Sequence, residues 1–201
     1  MVGLGNPGAD YEGTRHNVGF AVARRLCDRA GAKPHETTRT YASWAADELV
    51  VLTPLTYMNR SGEALADFGE RHGLTPEDVL VVVDDVYLPL GALRLRARGG
   101  DGGHNGLFSI QESLGTDAYA RLRIGVGRGD EAQGLADHVL SGFAPEEGGP
   151  LAAALDLACD ASLVWAREGV TVAMNRFNVS MRAPRDAATR VERDNAPEGE
   201  R

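Results

Sequence analysis

The sequence is short of the features that would place it in a membrane, a secreted framework or a nucleic-acid-coating protein. Its longest unbroken aliphatic stretch, Val79 to Val83, is five residues, against the roughly 20 that a helix needs to cross a bilayer. No basic segment followed by an apolar one opens the chain, so no secretory leader is expected and the cytoplasm is the expected compartment. There are two cysteines, Cys27 and Cys159, with no CxxC spacing. Both are expected to be small core residues rather than a disulfide or a metal clamp. A formal charge of −8 argues against attraction of nucleic acid to the whole surface, because phosphate binding draws on clustered Lys and Arg. GxSxG, HExxH and HxxxH are absent, as is any internal repeat.

What is present is the material of one domain: 201 residues, 43% hydrophobic, enough for a single core with a tail. Charge is uneven. From Arg94 to Arg128 six arginines face Asp101, Glu112 and Asp117, a local excess of +3, so any nucleic-acid contact is expected there.

The periodicity alternates between strand and helix. Val2 to Leu4 reads as a first strand ended by the turn formers Gly5-Asn6-Pro7-Gly8. From about His16 to Ala30 the spacing of Val18, Val22 and Leu26 is helical, with Gly31 as its stop. Tyr41 to Ala45 and Glu48 to Thr53 read as paired strands. Ser61 is expected to cap a helix carrying Ala64, Leu65 and Phe68 on one face, ended by Gly73. Val79 to Val83 is a continuous apolar run, the mark of a strand covered on both faces. Leu93, Leu95 and Ala97 alternate with Arg94, Arg96 and Arg98, giving one apolar and one cationic face. A glycine loop, Gly99 to Gly103, precedes a helix over Asn105 to Leu114, then a strand over Arg121 to Val126. Leu151, Leu155, Ala158, Ser162 and Trp165 mark a long helix ending near Gly169. The expected fold class is α/β: a single-domain sandwich whose twisted, mixed, mostly parallel sheet is covered by helices on both faces. Residues 1–178 form the expected domain, and residues 179–201, charged and poor in core residues, the expected disordered tail.

Gly3, Gly5 and Gly8 satisfy GxGxxG, the dinucleotide fingerprint. The acidic residue that should grip a ribose would be Asp28, which falls inside a helical segment, so the match is not read as a nucleotide site. Another set is more informative. His16 opens a helix, and Asn6, Asn59, Asp84 and Asn105 each sit at a turn beside an element end, where covered α/β sheets form their crevice. Alone, His16 would be a surface or satisfied core histidine. Beside a carboxylate and amides it can serve as a general base at neutral pH. His104 is structural or, with His16 and Asp84, a metal ligand; no metal and no cofactor are expected.

The ordered blocks VGLGNPG, YEGTRHNVGF, PLTYMNRSG, VDD with LPLG, GGHNGL and RLRIGVGRG, with the ending AMNRFN, resemble the bacterial peptidyl-tRNA hydrolases from Val2 to about Asn178. The resemblance implies hydrolysis of the ester between peptide and tRNA, with peptidyl-tRNA as partner, no membrane and a monomeric state. It implies His16 as catalytic base, Asp84 as its carboxylate, and Asn6, Asn59 and Asn105 as groups that position substrate and stabilise the oxyanion. Tyr11 and Met58 would line the substrate groove, and Arg96 and Arg123 would hold the tRNA 5′-phosphate. Counting back from Leu88-Pro89-Leu90-Gly91 selects Asp84 over Asp85. Val83 and Tyr87 depart from the family, which often has His and Asp there. The rival readings are a non-catalytic RNA or peptide binder on the same scaffold and a metal-dependent hydrolase.

Overall fold

A computed structural model of the chain describes residues 1–47, 49–129 and 134–178; the expected tail, 179–201, lies outside the described residues. Seven strands form one sheet: β1 (Val2–Gly3), β2 (Lys33–Thr37), β3 (Tyr41–Ala46), β4 (Leu49–Pro54), β5 (Leu80–Asp85), β6 (Leu93–Arg96) and β7 (Ala120–Gly125), in the order β2-β3-β4-β1-β5-β7-β6. The central strands β4, β1, β5 and β7 are mutually parallel, and β3 and β6 run against them. This is the mixed, mostly parallel sheet that the alternating periodicity implies. β2 is not legible in the sequence as a strand: its residues Lys33-Pro34-His35-Glu36-Thr37 are mostly exposed at the sheet edge, so no apolar alternation marks them.

Helices cover both faces. The apolar run Val79 to Val83, which leads into β5, is buried on both faces of the sheet: Leu80 and Val82 join one core with Val22, Leu26, Leu122 and Ala158, while Val79, Val81 and Val83 join the other with Leu65, Leu107 and Ile110. The first core packs α1 (Val18–Ala30), α5 (Gly148–Glu168) and α6 (Val170–Phe177) on the sheet; the second packs α2 (Ser61–His72) and α3 (Asn105–Leu114). A short helix, α4 (Leu135–Leu140), which the periodicity does not indicate, is the remaining α-helix among the described residues. Cys159 is fully buried and Cys27 half-buried, both as free thiols. One segment among the described residues, Pro145–Glu168, has the length and apolarity of a bilayer span. Its Ala154, Ala158 and Ala161 are buried in the first core, and Asp156 accepts from Arg25 at 2.5 and 2.6 Å.

Two local expectations change. Ser61 does not cap α2; it is the first helical residue, and its hydroxyl donates to Met58 O at 2.8 Å. Helix α1 begins at Val18, after 3-10 turns over Ala9–Tyr11 and Arg15–Asn17, so Gly8 leads into a short 3-10 turn and α1 does not open at the Gly5-Asn6-Pro7-Gly8 turn. Gly3 serves packing instead, against a glycine of α1. A Cβ on Gly3 would lie 2.3 Å from Gly19 O, and one on Gly19 would lie 2.4 Å from Leu4 O and Val82 O. Helix and sheet therefore meet backbone to backbone, directly behind the turn that carries His16.

Candidate active site

Because β4, β1, β5 and β7 are parallel, their carboxyl ends share one edge. The chain leaves β1 towards α1 on one face and leaves β4 towards α2 on the other, so the connections part there and open a crevice. Asn6 lies in the turn after β1, His16 in the 3-10 turn before α1, and Met58 and Asn59 in the 3-10 turn Met58–Arg60 before α2. Asp84 is the penultimate residue of β5, and His104 and Asn105 stand at the start of α3. Together with Tyr11 and Arg123 they line one groove of about 600 Å³, with Tyr57, Tyr87 and α4 at its walls. A second cavity, about 540 Å³, lies where Val50, Leu65, Phe68 and Trp165 meet. It is lined mainly by apolar side chains and brings no histidine to a carboxylate.

His16 Nδ1 is 2.8 Å from Asp84 Oδ1, and His104 Nε2 is 3.0 Å from the same oxygen. The carboxylate is almost fully buried, the His16 ring 12% exposed. Burial pushes the Asp84 carboxyl upward, but its contacts with His104, the larger influence, and with His16 together outweigh it, leaving Asp84 well below the usual carboxylate range. A buried anion thus stands behind an imidazole that reaches the groove. The ligand atoms of His16, Asp84 and His104 lie within 4.8 Å of one another, a donor set of the type that holds divalent cations.

Asn6 is tied in by three bonds. Its Oδ1 accepts from Met58 N at 2.7 Å, while Asn6 N donates to Asn17 Oδ1 at 2.8 Å and Asn17 Nδ2 to Asn6 O at 2.9 Å. Asn17 is a brace that the sequence pattern does not single out. Arg15 is another: its guanidinium is buried, donates to Val126 O at 3.1 Å, pairs with Glu147 at 2.7 Å and lies 4.5 Å over the Phe143 ring. Only its adjacency to His16 could have drawn notice.

Asp84 and Asp85 have different partners. Asp85 Oδ1 accepts from Tyr87 N at 2.8 Å and Oδ2 lies 3.4 Å from Arg123 Nη1. Val83 is buried in the second core, and Tyr87 projects at the groove rim, 63% exposed, on a backbone held by Asp85.

The arginine stripe has the expected facing over β6, whereas Ala97 and Arg98 lie beyond the end of the strand and are exposed. Leu93 and Leu95 are buried, Arg94 pairs across the ladder with Arg123 and Arg96 with Arg121, so all four arginines share the opposite sheet face. Their settings differ. Arg123 lines the groove and donates to Gly100 O at 3.2 Å and Asp101 O at 2.8 Å, while Arg96 is exposed on β6 outside the groove lining. Arg121 is fully buried, donating to the carbonyls of Gly99, Gly100, Asp117 and Tyr119 and lying 4.2 Å over the Tyr119 ring. It clasps the glycine loop, a structural task that the charge pattern alone conceals.

The fold and the site define a class: a mixed-sheet α/β protein in which one histidine, backed by a buried carboxylate, faces a groove among amide side chains, with no serine or cysteine among the described residues that line it. The model of the peptidyl-tRNA hydrolase family matches residues 1–186. The chain is 42% identical over 184 residues to the peptidyl-tRNA hydrolase of Halalkalibacterium halodurans, covering 89% of this chain and 98% of the relative. It is 46% identical over 183 residues to that of Synechococcus sp. (strain JA-2-3B'a(2-13)), covering 89% and 82%. The crystal structure of the Acinetobacter baumannii peptidyl-tRNA hydrolase superposes with a TM-score of 0.81 at 35% identity, over 89% of this chain and 93% of that one. This chain belongs to the peptidyl-tRNA hydrolase family.

Proposed function

We propose that this chain hydrolyses the ester joining the peptide to the terminal ribose of peptidyl-tRNA, recycling tRNA from aborted translation, with His16 as the general base. The single observation that carries the assignment of roles is the 2.8 Å contact between His16 Nδ1 and the buried Asp84 carboxylate. It orients the ring, leaves Nε2 for a water in the groove, and supplies a counter-charge when the ring takes up that water's proton.

The steps follow from the residue types. His16 Nε2 accepts a proton from water as the water oxygen attacks the ester carbonyl carbon. The carbonyl oxygen becomes an oxyanion, for which the amide N–H groups of Asn6, Asn59 and Asn105 are the available donors. The C–O bond to the ribose then breaks, and the imidazolium returns the proton to the departing ribose oxygen. The products are a free tRNA hydroxyl and a peptide carboxylic acid, which gives its proton to solvent and leaves as the carboxylate. The base and its carboxylate contribute about 10²–10⁴-fold, and one oxyanion donor about 2.7–4 kcal/mol.

Tyr11 and Met58 line the groove for the peptidyl end, and Arg96 and Arg123 take the tRNA 5′-phosphate. Arg123 is pre-anchored by carbonyls, and Arg96 offers an exposed guanidinium on the same sheet face. Residues 1–178 carry the activity, and the protein acts as a cytoplasmic monomer away from membranes. Full turnover by a chain shortened to end at Asn178, and a monomer mass by light scattering, are the expected results. Incubation with peptidyl-tRNA tests the function: tRNA is released by the native protein and not by His16→Ala. Because His16, Asp84 and His104 form a cation-type donor set, a metal-dependent hydrolase is the second reading. Activity lost to a chelator and restored by zinc would favour it.

A further inference from the structure

We propose that His104 is a positioning residue for Asp84, its ring held in one tautomer by the amino end of α3. The inference rests on the reading of His16 and Asp84 given above. His104 occupies the N-cap of α3, and its Nδ1 is 3.1 Å from Gly106 N and 3.3 Å from Leu107 N. A backbone N–H can only donate, so Nδ1 presents its lone pair. A neutral imidazole then carries its proton on Nε2, and Nε2 stands 3.0 Å from Asp84 Oδ1, which can only accept. The ring is an acceptor towards the helix and a donor towards the carboxylate. Rotating it by half a turn about its Cβ–Cγ bond would put carbon atoms at both places.

Two features say that capping alone does not account for this residue. Ser, Thr, Asp and Asn are the usual N-caps and satisfy the same orphan N–H groups; none of them adds a donor on the far side of a ring. Helix α3 is also brought up under the ring. A Cβ on Gly106 would meet Leu4 Cδ1 and Met58 Sδ at 2.6 Å and His104 Cε1 at 3.1 Å. The start of the helix, His104 and the turns beside Asp84 are thus locked in one packing unit.

The consequence reaches His16. Asp84 Oδ1 receives two imidazole contacts, from His104 at 3.0 Å and from His16 at 2.8 Å, with the two rings 5.1 Å apart. His104 fixes the carboxylate from one side, so the carboxylate fixes the His16 tautomer, Nδ1 protonated and Nε2 free, from the other. The helix end is therefore wired through two side chains to the base.

Two substitutions separate the halves of the ring. In His104→Asn the amide oxygen stands near the place of Nδ1 and keeps the cap, while the contact with Asp84 is lost. In His104→Gln the amide nitrogen reaches towards the place of Nε2 and keeps the donor, while the cap is lost. The expected pattern crosses over: Asn keeps Tm and loses about tenfold to a hundredfold in kcat, the worth of a hydrogen bond to a charged group, with little change in KM; Gln loses more Tm and less kcat than Asn. Nitrogen-15 NMR of the histidine-labelled native protein is expected to show His104 unprotonated at Nδ1 and protonated at Nε2 at neutral pH. Native kcat in His104→Asn, or a proton on Nδ1 of the native ring, overturns the proposal. The NMR result decides the tautomer whether or not the protein cleaves peptidyl-tRNA, so failure of the proposed function would be seen separately, as absent turnover by the native chain.

Discussion

The Asn6 side-chain oxygen accepts the Met58 backbone N–H at 2.7 Å, joining the turn after β1 to the turn before α2 across 52 residues of sequence. This bond sets the spacing of the two groove walls, since His16 follows one turn and Asn59 the other. It also divides the Asn6 amide: the oxygen is used by the scaffold, and the NH₂ remains as a donor.

Asn6→Asp tests that division. A carboxylate still accepts from Met58 N, so the variant is expected to fold with a Tm near that of the native protein. It replaces a donor by an anion where the oxyanion develops, and kcat is expected to fall by about 10²–10³-fold. Unchanged kcat would remove Asn6 from the reaction and leave it a scaffold residue.

Asp84→Asn and Asp85→Asn are expected to differ sharply. The first removes the anion behind His16 and lowers kcat by up to about 10⁴-fold; the second loosens a turn and its contact with Arg123, with a much smaller effect on kcat. The pH dependence has a defined sign. Because Asp84 is held below the usual carboxylate range in the fold, the unfolded chain binds its proton first on acidification. Its contribution to stability is present above about pH 4 and is lost as pH falls below that. Urea unfolding of the native protein and Asp84→Asn from neutral to strongly acid pH is expected to show the difference changing only at the acid end.

At alkaline pH the reporter is Tyr41. Burial and its hydrogen bond to Glu36 push its hydroxyl up to about 12. The sign is the opposite one: the unfolded chain loses the proton near pH 10, the folded one later, so Tyr41 stabilises fully below pH 10 and its contribution disappears as pH rises through about 12. Tyr41→Phe is expected to flatten that part of the Tm against pH curve; an unchanged curve would contradict the assignment.

Gly19→Ala places a Cβ 2.4 Å from Leu4 N, Leu4 O and Val82 O. Helix α1 must retreat from the sheet, at a cost of about 1–3 kcal/mol or more, and the turn bearing His16 moves with it. Lower stability in denaturant together with lower kcat is expected; an unaffected enzyme would mean that helix and sheet tolerate wider spacing.

Where side-chain period and turn chemistry act alone, the sequence is readable. Leu93 and Leu95 alternate with Arg94 and Arg96, and α3 spans Asn105–Leu114 as its pattern indicates. The polar residues that could converge are legible as turn residues at element ends, and the parallel strands bring them to one groove. What stays hidden depends on tertiary partners. Strand β2 has no buried face to impose a period. Arg15 and Arg121 look like surface cations until the carbonyls and Glu147 that bury them come from distant segments. Arg96 and Arg123 fall in the same basic region of the sequence, Arg94 to Arg128, yet of the two only Arg123 lines the groove. His104 is open in the sequence between structure and metal, because one residue name does not say which ring nitrogen faces a helix and which a carboxylate.

The most direct measurement is single-turnover cleavage of a defined N-blocked aminoacyl-tRNA by the native protein and by His16→Ala, with tRNA binding followed in parallel and no metal added. The expected result is rapid ester cleavage by the native protein and a loss of about 10²–10⁴-fold in the variant, with binding retained. Cleavage by His16→Ala at the native rate would contradict the account.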